Sequence, residues 1–127
     1  LVSLSPWTDL TFSGKSYEEN RDADPSLCED LLRQHAAMYA GDDTANPLVS
    51  PIFGDLCGLP PALIIAGGDE LLLSDSRNLA NRIAACGGSC QLIIEDGMWH
   101  VFPLFSCPEA DAAINKMQEF LEMPYAR

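Results

Sequence analysis

The chain has 127 residues, enough for one modest domain, and its 47% apolar fraction is that of an ordinary globular protein rather than a disordered one. Seven Lys and Arg stand against nineteen Asp and Glu; the net charge of −12 argues against nucleic acid, whose phosphates need a basic footprint, and against an anionic membrane surface. No apolar run reaches the roughly eighteen residues of a membrane-spanning helix, and residues 1–127 contain no signal-peptide pattern and do not open on Met.

Leu1 to Ser5 reads as a buried strand ended by Pro6, and a chain that opens inside an apolar run is expected to be a piece of a longer protein. Trp7 to Thr11 is a loop in which Trp7 packs at the end of the sheet. Ser13 to Pro25 is acidic and has no apolar period, so it is expected to be an exposed connection with room for one short helix. Asp24-Pro25-Ser26 then opens a helix through about Tyr39. Pro25 falls near its first position, Glu29 and Asp30 in the first turn, Leu27, Leu31, Leu32, Ala36 and Tyr39 on one face, and Gly41 stops it. His35 on this helix lacks a partner motif and reads as a surface or packing residue.

Asn46 to Gly58 is irregular, because Pro47, Pro51, Gly54 and Gly58 forbid long elements; its Leu48, Val49, Ile52 and Phe53 are expected to pack down. The central stretch is Leu59 to Ser76. A Pro pair precedes Ala62 to Ala66, an unbroken apolar run suited to a strand buried on both faces. Gly67-Gly68 ends it, and Asp69 and Glu70 follow at once. Ser74, Asp75 and Ser76 are N-cap types ahead of a helix from about Ser76 to Ala85, with Leu79, Ala80 and Ile83 inward and Arg77 and Arg82 outward. Gly87-Gly88 terminates that helix, Cys90 to Glu95 forms another strand, and Asp96-Gly97 turns into Met98-Trp99-His100-Val101-Phe102-Pro103. A last helix runs from Pro108 or Glu109 to about Glu122, with Ala112, Ala113, Met117, Phe120 and Leu121 on one side.

Strands alternating with helices imply an α/β fold with parallel strands and right-handed crossovers. The five cysteines, Cys28, Cys57, Cys86, Cys90 and Cys107, are odd in number and form no C-x-x-C pair. They read as separate thiols in a reducing cytoplasm rather than as a disulfide framework or zinc site, although Cys86 and Cys90 flank a Gly-Gly turn and could approach each other.

Two strands therefore end side by side on one sheet edge, where open α/β sheets place functional groups. One presents Glu70 or Asp69, and the next presents His100 thirty residues later. A carboxylate that orients an imidazole is the general-base half of a nucleophilic triad. The alternatives are acids that only solvate a turn and a capping His packed beside Trp99. In α/β hydrolases the order is Ser, then acid, then His, and acid and His stand here in that order. No G-x-S-x-G elbow and no HGG-type oxyanion motif occurs in residues 1–127.

Four segments carry a resemblance: LVSLSPWTDLT at residues 1–11, NPLVSPIFGDLCGLPPALIIAGGDELLLSDS at 46–76, a Gly-Gly before CQLIIE, and MWHVFP at 98–103. Together they resemble the C-terminal part of the α/β-hydrolase family, in the esterase and lipase branch similar to hormone-sensitive lipase. The family segment D-P-L-x-D, laid on this sequence from Pro61 without gaps, brings its acid to Glu70 and its Leu to Leu72, with Asp69 one position earlier as the alternative acid. Leu71 replaces the Pro, Ser74 replaces the second Asp, and Val101 follows His100 where the family pattern is H-x-F. A subset of the family uses Glu as its acid, which favours Glu70.

The resemblance implies a serine carboxylesterase or lipase working through an acyl-enzyme, with no metal and no cofactor, on a small ester or acylglycerol. Residues 1–127 would then be a partial α/β-hydrolase domain, the C-terminal half of the fold, with an insertion over about 13–60. Leu1 to Ser5, Ala62 to Ala66 and Gln91 to Glu95 would match the sixth, seventh and eighth strands. The nucleophile and oxyanion hole would lie upstream, leaving the chain alone inactive. Trp7, Phe53, Trp99 and Val101, with Phe12 and Leu48, are candidates to line the acyl or alcohol pocket. The missing fifth strand would leave Leu1 to Ser5 as an edge open to a homodimer. A reading of a different class is a hydrolase-like binding module without chemistry.

Overall fold

In the computed structural model, which describes residues 1–124, the run Ala62–Gly67 is the middle strand of a three-stranded parallel sheet. Its neighbours are β1 (Val2–Leu4) and β3 (Cys90–Glu95), so with β2 (Ala62–Gly67) the spatial order β1-β2-β3 follows the chain. Leu4 pairs with Ile65, and Ile65 with Ile93. Alternate side chains of β2 point to opposite faces. Ala62 and Ile64 join Leu79, Ala80 and Ile83 of one helix, whereas Leu63 and Ile65 join Ala113 and Phe120 of another and Phe102. Every residue of β2 is buried, which is why its sequence shows no alternation, and the edge strand β3 is only half-buried.

Between the strands lie α1 (Ser16–Glu19), α2 (Glu29–Ala40) and a 3-10 turn (Pro51–Phe53), then α3 (Leu73–Ala85); after β3 come a second 3-10 turn (Phe102–Leu104) and α4 (Pro108–Glu122). No helix among the described residues is long and apolar enough to cross a membrane.

Several expectations change. The Ser13–Pro25 connection is not simply exposed: Ser16, Tyr17 and Asp24 are buried, because each anchors this segment onto the start of α3. Ser16 donates its hydroxyl to the Leu71 carbonyl at 2.6 Å, and Asp24 accepts the Leu71 N–H at 2.9 Å. The second helix starts at Glu29, not Asp24, because the Asp24 carboxylate instead caps a turn over Ser26 and Leu27. Its buried stripe is Leu32 and Ala36, while Leu31 and Tyr39 face outward. Leu48 and Phe53 are exposed, and the buried apolar residues of that loop are Ile52 and Leu56.

α3 starts three residues early, so Ser74, Asp75 and Ser76 lie inside its first turn instead of capping it. The caps come from far away: Ser74 N–H donates to Ser16 Oγ at 2.9 Å, and Ser16 N–H to Ser74 Oγ at 3.0 Å, each hydroxyl satisfying the other helix's orphan donor. On α4, Ala112 and Leu121 face solvent; Ala110, Ala113 and Phe120 are the buried side. Cys57 and Cys86 form a disulfide with 4.9 Å between Cα atoms, tying the loop before β2 to the end of α3, while Cys28, Cys90 and Cys107 are free. The partner of Cys86 is thus Cys57 rather than Cys90, and separate thiols no longer argue for a reducing compartment.

Asp75 anchors the loop after β1. It is 1% exposed, accepts the Thr8 and Asp9 N–H groups at 2.8 and 2.7 Å on Oδ1, and accepts the Tyr17 hydroxyl at 2.9 Å on Oδ2. Burial pushes its carboxyl up to about 6 against these bonds, and the same burial beside Asp75 raises the Tyr17 hydroxyl. A carboxyl raised in the fold binds its proton where the unfolded chain has already released it. Its contribution to stability is therefore full below about pH 4 and lost as pH rises to about 6. Asp75→Ala strands three donors and is expected to cost about 3 kcal/mol in urea melts at pH 7. Asp75→Asn keeps both N–H bonds on its amide oxygen and can donate to Tyr17, so it should cost little and flatten the melting temperature between pH 4 and 6. An Ala variant as stable as the parent would show that this anchor is dispensable.

Candidate active site

The candidate groups meet where β2 and β3 end. After β2 the chain turns at Gly67-Gly68, and the turn is pinned by Gly68 N–H on the Glu95 carbonyl (2.8 Å) and Asp69 N–H on the Met98 carbonyl (3.0 Å). These bonds draw the loop after β3 directly over the end of β2. From just after α1, Asn20 Nδ2 donates to the Gly68 and Glu70 carbonyls at 3.0 and 2.9 Å, fixing the turn from its outer side.

The Glu70 side chain is wholly buried. Its Oε2 accepts the Ser5 hydroxyl at 2.6 Å and the Gly67 N–H at 3.3 Å, and lies 3.8 Å from His100 Nδ1. The His100 side chain is 22% exposed, so the pair sits at a partly open edge. Glu70 Oε1 and His100 Nδ1 are buried without a hydrogen-bond partner. A separation of 3.8 Å is an ion-pair distance, not a hydrogen bond, and catalytic bonds of this kind often tighten only when substrate is bound. Asp69 is half-buried and makes no ion pair with His100, so the two adjacent acids are separated by environment.

Burial sets the electrostatics. It pushes the Glu70 carboxyl up to about 7, opposed by the bonds from Ser5 and Gly67. It lowers His100, with the Asp24 charge acting weakly the other way, so the imidazole is neutral near pH 7 and able to accept a proton.

The remaining candidates lie in different places. Trp99 and Val101 flank His100; Trp99 packs edge-on against Phe105 and joins the cluster of Leu63 and Ile65. Trp7 packs edge-on against Phe12 in the cluster of Tyr17, Leu32, Leu71 and Leu72. Phe53 stands on the 3-10 turn whose Ile52 belongs to the α3 face of the sheet. The structure thus joins Glu70, His100, Trp99 and Val101, and places Trp7 and Phe53 with separate clusters. The donors Asp55, Cys57 and Cys86 lie within 4.8 Å of one another, but two of the three are joined in the disulfide and offer no thiolate to a metal.

Ser5, Asn20 and Asp24 escaped sequence reasoning. Each is an ordinary polar residue in a loop or at a strand end, and its partner lies 47 or more residues away.

Residues 1–104 match a family model described as the alpha/beta hydrolase fold. An esterase of Acinetobacter venetianus is 35% identical over 124 residues, covering 94% of this chain and 41% of the relative. An acetyl-hydrolase of Streptomyces hygroscopicus is 37% identical, again over 94% of this chain and 41% of the relative. The crystal structure of an esterase from the bacterial hormone-sensitive lipase family superposes with a TM-score of 0.91 at 41% identity, covering 94% of this chain and 41% of that one. The chain therefore spans about two fifths of the length of the proteins it matches.

Proposed function

Because the chain belongs to the α/β-hydrolase family, in the esterase and lipase branch resembling hormone-sensitive lipase, we propose that it carries the acid and base of a serine carboxylesterase. The observation that carries the reading is the buried Glu70 carboxylate 3.8 Å from His100 Nδ1, at the ends of adjacent strands. Nδ1 faces the acid, which leaves Nε2 to take the proton of a serine hydroxyl as its oxygen attacks an ester carbonyl. The same nitrogen returns that proton to the leaving alcohol, and water then repeats the cycle on the acyl-enzyme. Glu70 holds the tautomer and stabilises the imidazolium. No G-x-S-x-G occurs in residues 1–127, so the nucleophile and oxyanion donors are proposed to come from a further segment, pairing at the outer edge of β1. The substrate class is a small carboxylic ester, with the insertion over about 13–60 and the flanks of His100 forming its walls.

The test is labelling of the full-length protein by a fluorophosphonate, which modifies an activated serine. Stoichiometric labelling supports the esterase. Refusal to label by a folded protein would transfer the reading to a binding module that keeps the fold without the chemistry. The 127 residues alone are expected neither to label nor to hydrolyse p-nitrophenyl acetate. Sedimentation of that chain reports whether the β1 edge pairs two copies.

The pH profile is a second expectation. The active form needs Glu70 ionised and His100 neutral, and burial holds Glu70 at about 7 while lowering His100. The acidic limb of kcat/KM should thus fall near pH 7, as an apparent value of the pair. A limb below pH 5 would show that Glu70 is not buried in this way in the working enzyme.

A further inference from the structure

The left-handed backbone at Ser5 and Val101, two residues distant in sequence that share one hydroxyl, points to a role beyond the pair itself. Ser5 has φ 45° and Val101 has φ 49°. Left-handed backbone is uncommon for any side chain and an outlier for a β-branched one such as Val101. Ser5 still donates its N–H to the Ile65 carbonyl at 2.8 Å, so the sheet ladder reaches it and the twist comes at the strand's last residue. The twist accompanies an inward hydroxyl: Ser5 is 3% exposed, its Oγ donates to Glu70 Oε2 at 2.6 Å, and the same oxygen accepts the Val101 N–H at 2.9 Å. Strain of this kind persists where surrounding structure over-determines it, and it clusters at functional sites.

We propose that Ser5 is a positioning residue of the site, its one hydroxyl locking the Glu70 carboxylate and the backbone beside His100 into a single register. The inference rests on the triad reading above. The oxygen it holds, Oε2, is the one facing His100 Nδ1 at 3.8 Å. A hydroxyl donor also favours the carboxylate anion over the acid, opposing the burial that otherwise protonates it. Ser5 thereby acts on the protonation of the pair through Glu70 and on the aim of the imidazole through Val101, without touching substrate.

The experiment compares Ser5→Gly, Ser5→Ala and Ser5→Thr in the full-length protein, by thermal melts and by kcat/KM for p-nitrophenyl acetate from pH 5 to 9. Gly is relaxed at φ 45° but has no hydroxyl, so Ser5→Gly should melt no lower than the parent. Its acidic limb should rise by about one pH unit, lowering kcat/KM at pH 6 about tenfold relative to the parent. Ser5→Ala should show the same limb shift at a lower melting temperature, and Ser5→Thr should restore the limb. A Ser5→Gly variant with the parent's pH profile overturns the inference. So does one that melts far below the parent, which would make the hydroxyl a contact of the fold alone. Glu70→Gln and His100→Ala are measured alongside. If both retain full activity, the triad reading itself has failed; if both are inactive and Ser5→Gly is normal, only the role of Ser5 has.

Discussion

His100→Ala in the full-length protein should lower kcat for p-nitrophenyl esters by about 10⁶-fold, and Glu70→Gln by about 10⁴-fold, with fluorophosphonate labelling falling in step. The two differ because of what each side chain touches. Without His100 no group remains to take the serine proton. Without the Glu70 charge the imidazole is still present, but its tautomer is wrong: a Gln amide at this place can present an N–H to Nδ1, which then accepts, leaving Nε2 protonated and unable to act as base. The Ser5 hydroxyl can turn to accept from or donate to the amide, so Glu70→Gln should fold, and its buried uncharged side chain should remove the loss of stability that Glu70 contributes as pH rises from about 4.5 to about 7. Asp69→Asn is the control. Asp69 stands one residue away, half-buried, and makes no ion pair with His100, so its variant should keep activity within about twofold. Normal labelling in Glu70→Gln together with its loss in Asp69→Asn would reassign the acid and leave the family untouched.

The layout of the sheet was legible because its strands obey local rules. An unbroken apolar run after a Pro pair can only be comfortable between two layers, and β2 is buried from end to end. The meeting of Glu70 and His100 at one edge was legible for a related reason: each follows a strand of a parallel unit, so topology alone brings both there. What failed was whatever depended on distant partners. Ser74 to Ser76 have the composition of an N-cap, yet α3 begins before them, because Ser16, 58 residues away, supplies the acceptor that a local cap would have given. Asp24 looked like a helix start and instead holds the Leu71 N–H. The Cys57–Cys86 disulfide joins residues 29 apart through the packing of a loop on a helix end, which neither spacing nor an odd count of cysteines reveals. Periodicity puts Leu31 and Tyr39 on the inward face, but Leu32 and Ala36 are the buried residues of α2, and of these Leu32 joins the cluster of Tyr17, Leu71 and Leu72. Period predicts which residues share a face, not how wide a face the neighbouring layer covers.

Gly67→Ala should be the most damaging single methyl group in the chain. Gly67 is the last residue of β2, and the loop bearing His100 crosses its Cα without room for a side chain. A Cβ there would stand 2.6 Å from the Met98 carbonyl carbon and 2.7 Å from the Trp99 carbonyl oxygen, and closer still to the Met98 oxygen. All three are backbone atoms, so no rotamer change relieves the clash; the loop must move by roughly an ångström to restore van der Waals contact. The Asp69 N–H bond to Met98 and the Val101 N–H bond to Ser5 Oγ break or stretch with it, whereas Glu70 stays held by the Ser5 hydroxyl. The displacement therefore separates base from acid. A misplacement of about 1 Å can cost about 10²-fold in rate, and overpacking of this kind costs about 1–3 kcal/mol in stability. The expected result is a folded protein, melting several degrees lower, with kcat reduced about 10²-fold or more and KM changed far less. Gly87→Ala separates this from a general glycine effect: its φ of +75° strains an added methyl, but no atom lies within 4 Å of one. That variant should lose about 1 kcal/mol and none of its activity. Equal kcat in the Gly67 and Gly87 variants would mean that the close crossing of the His100 loop over β2 does not set the geometry of the site, and that the loop reaches its working position by another route.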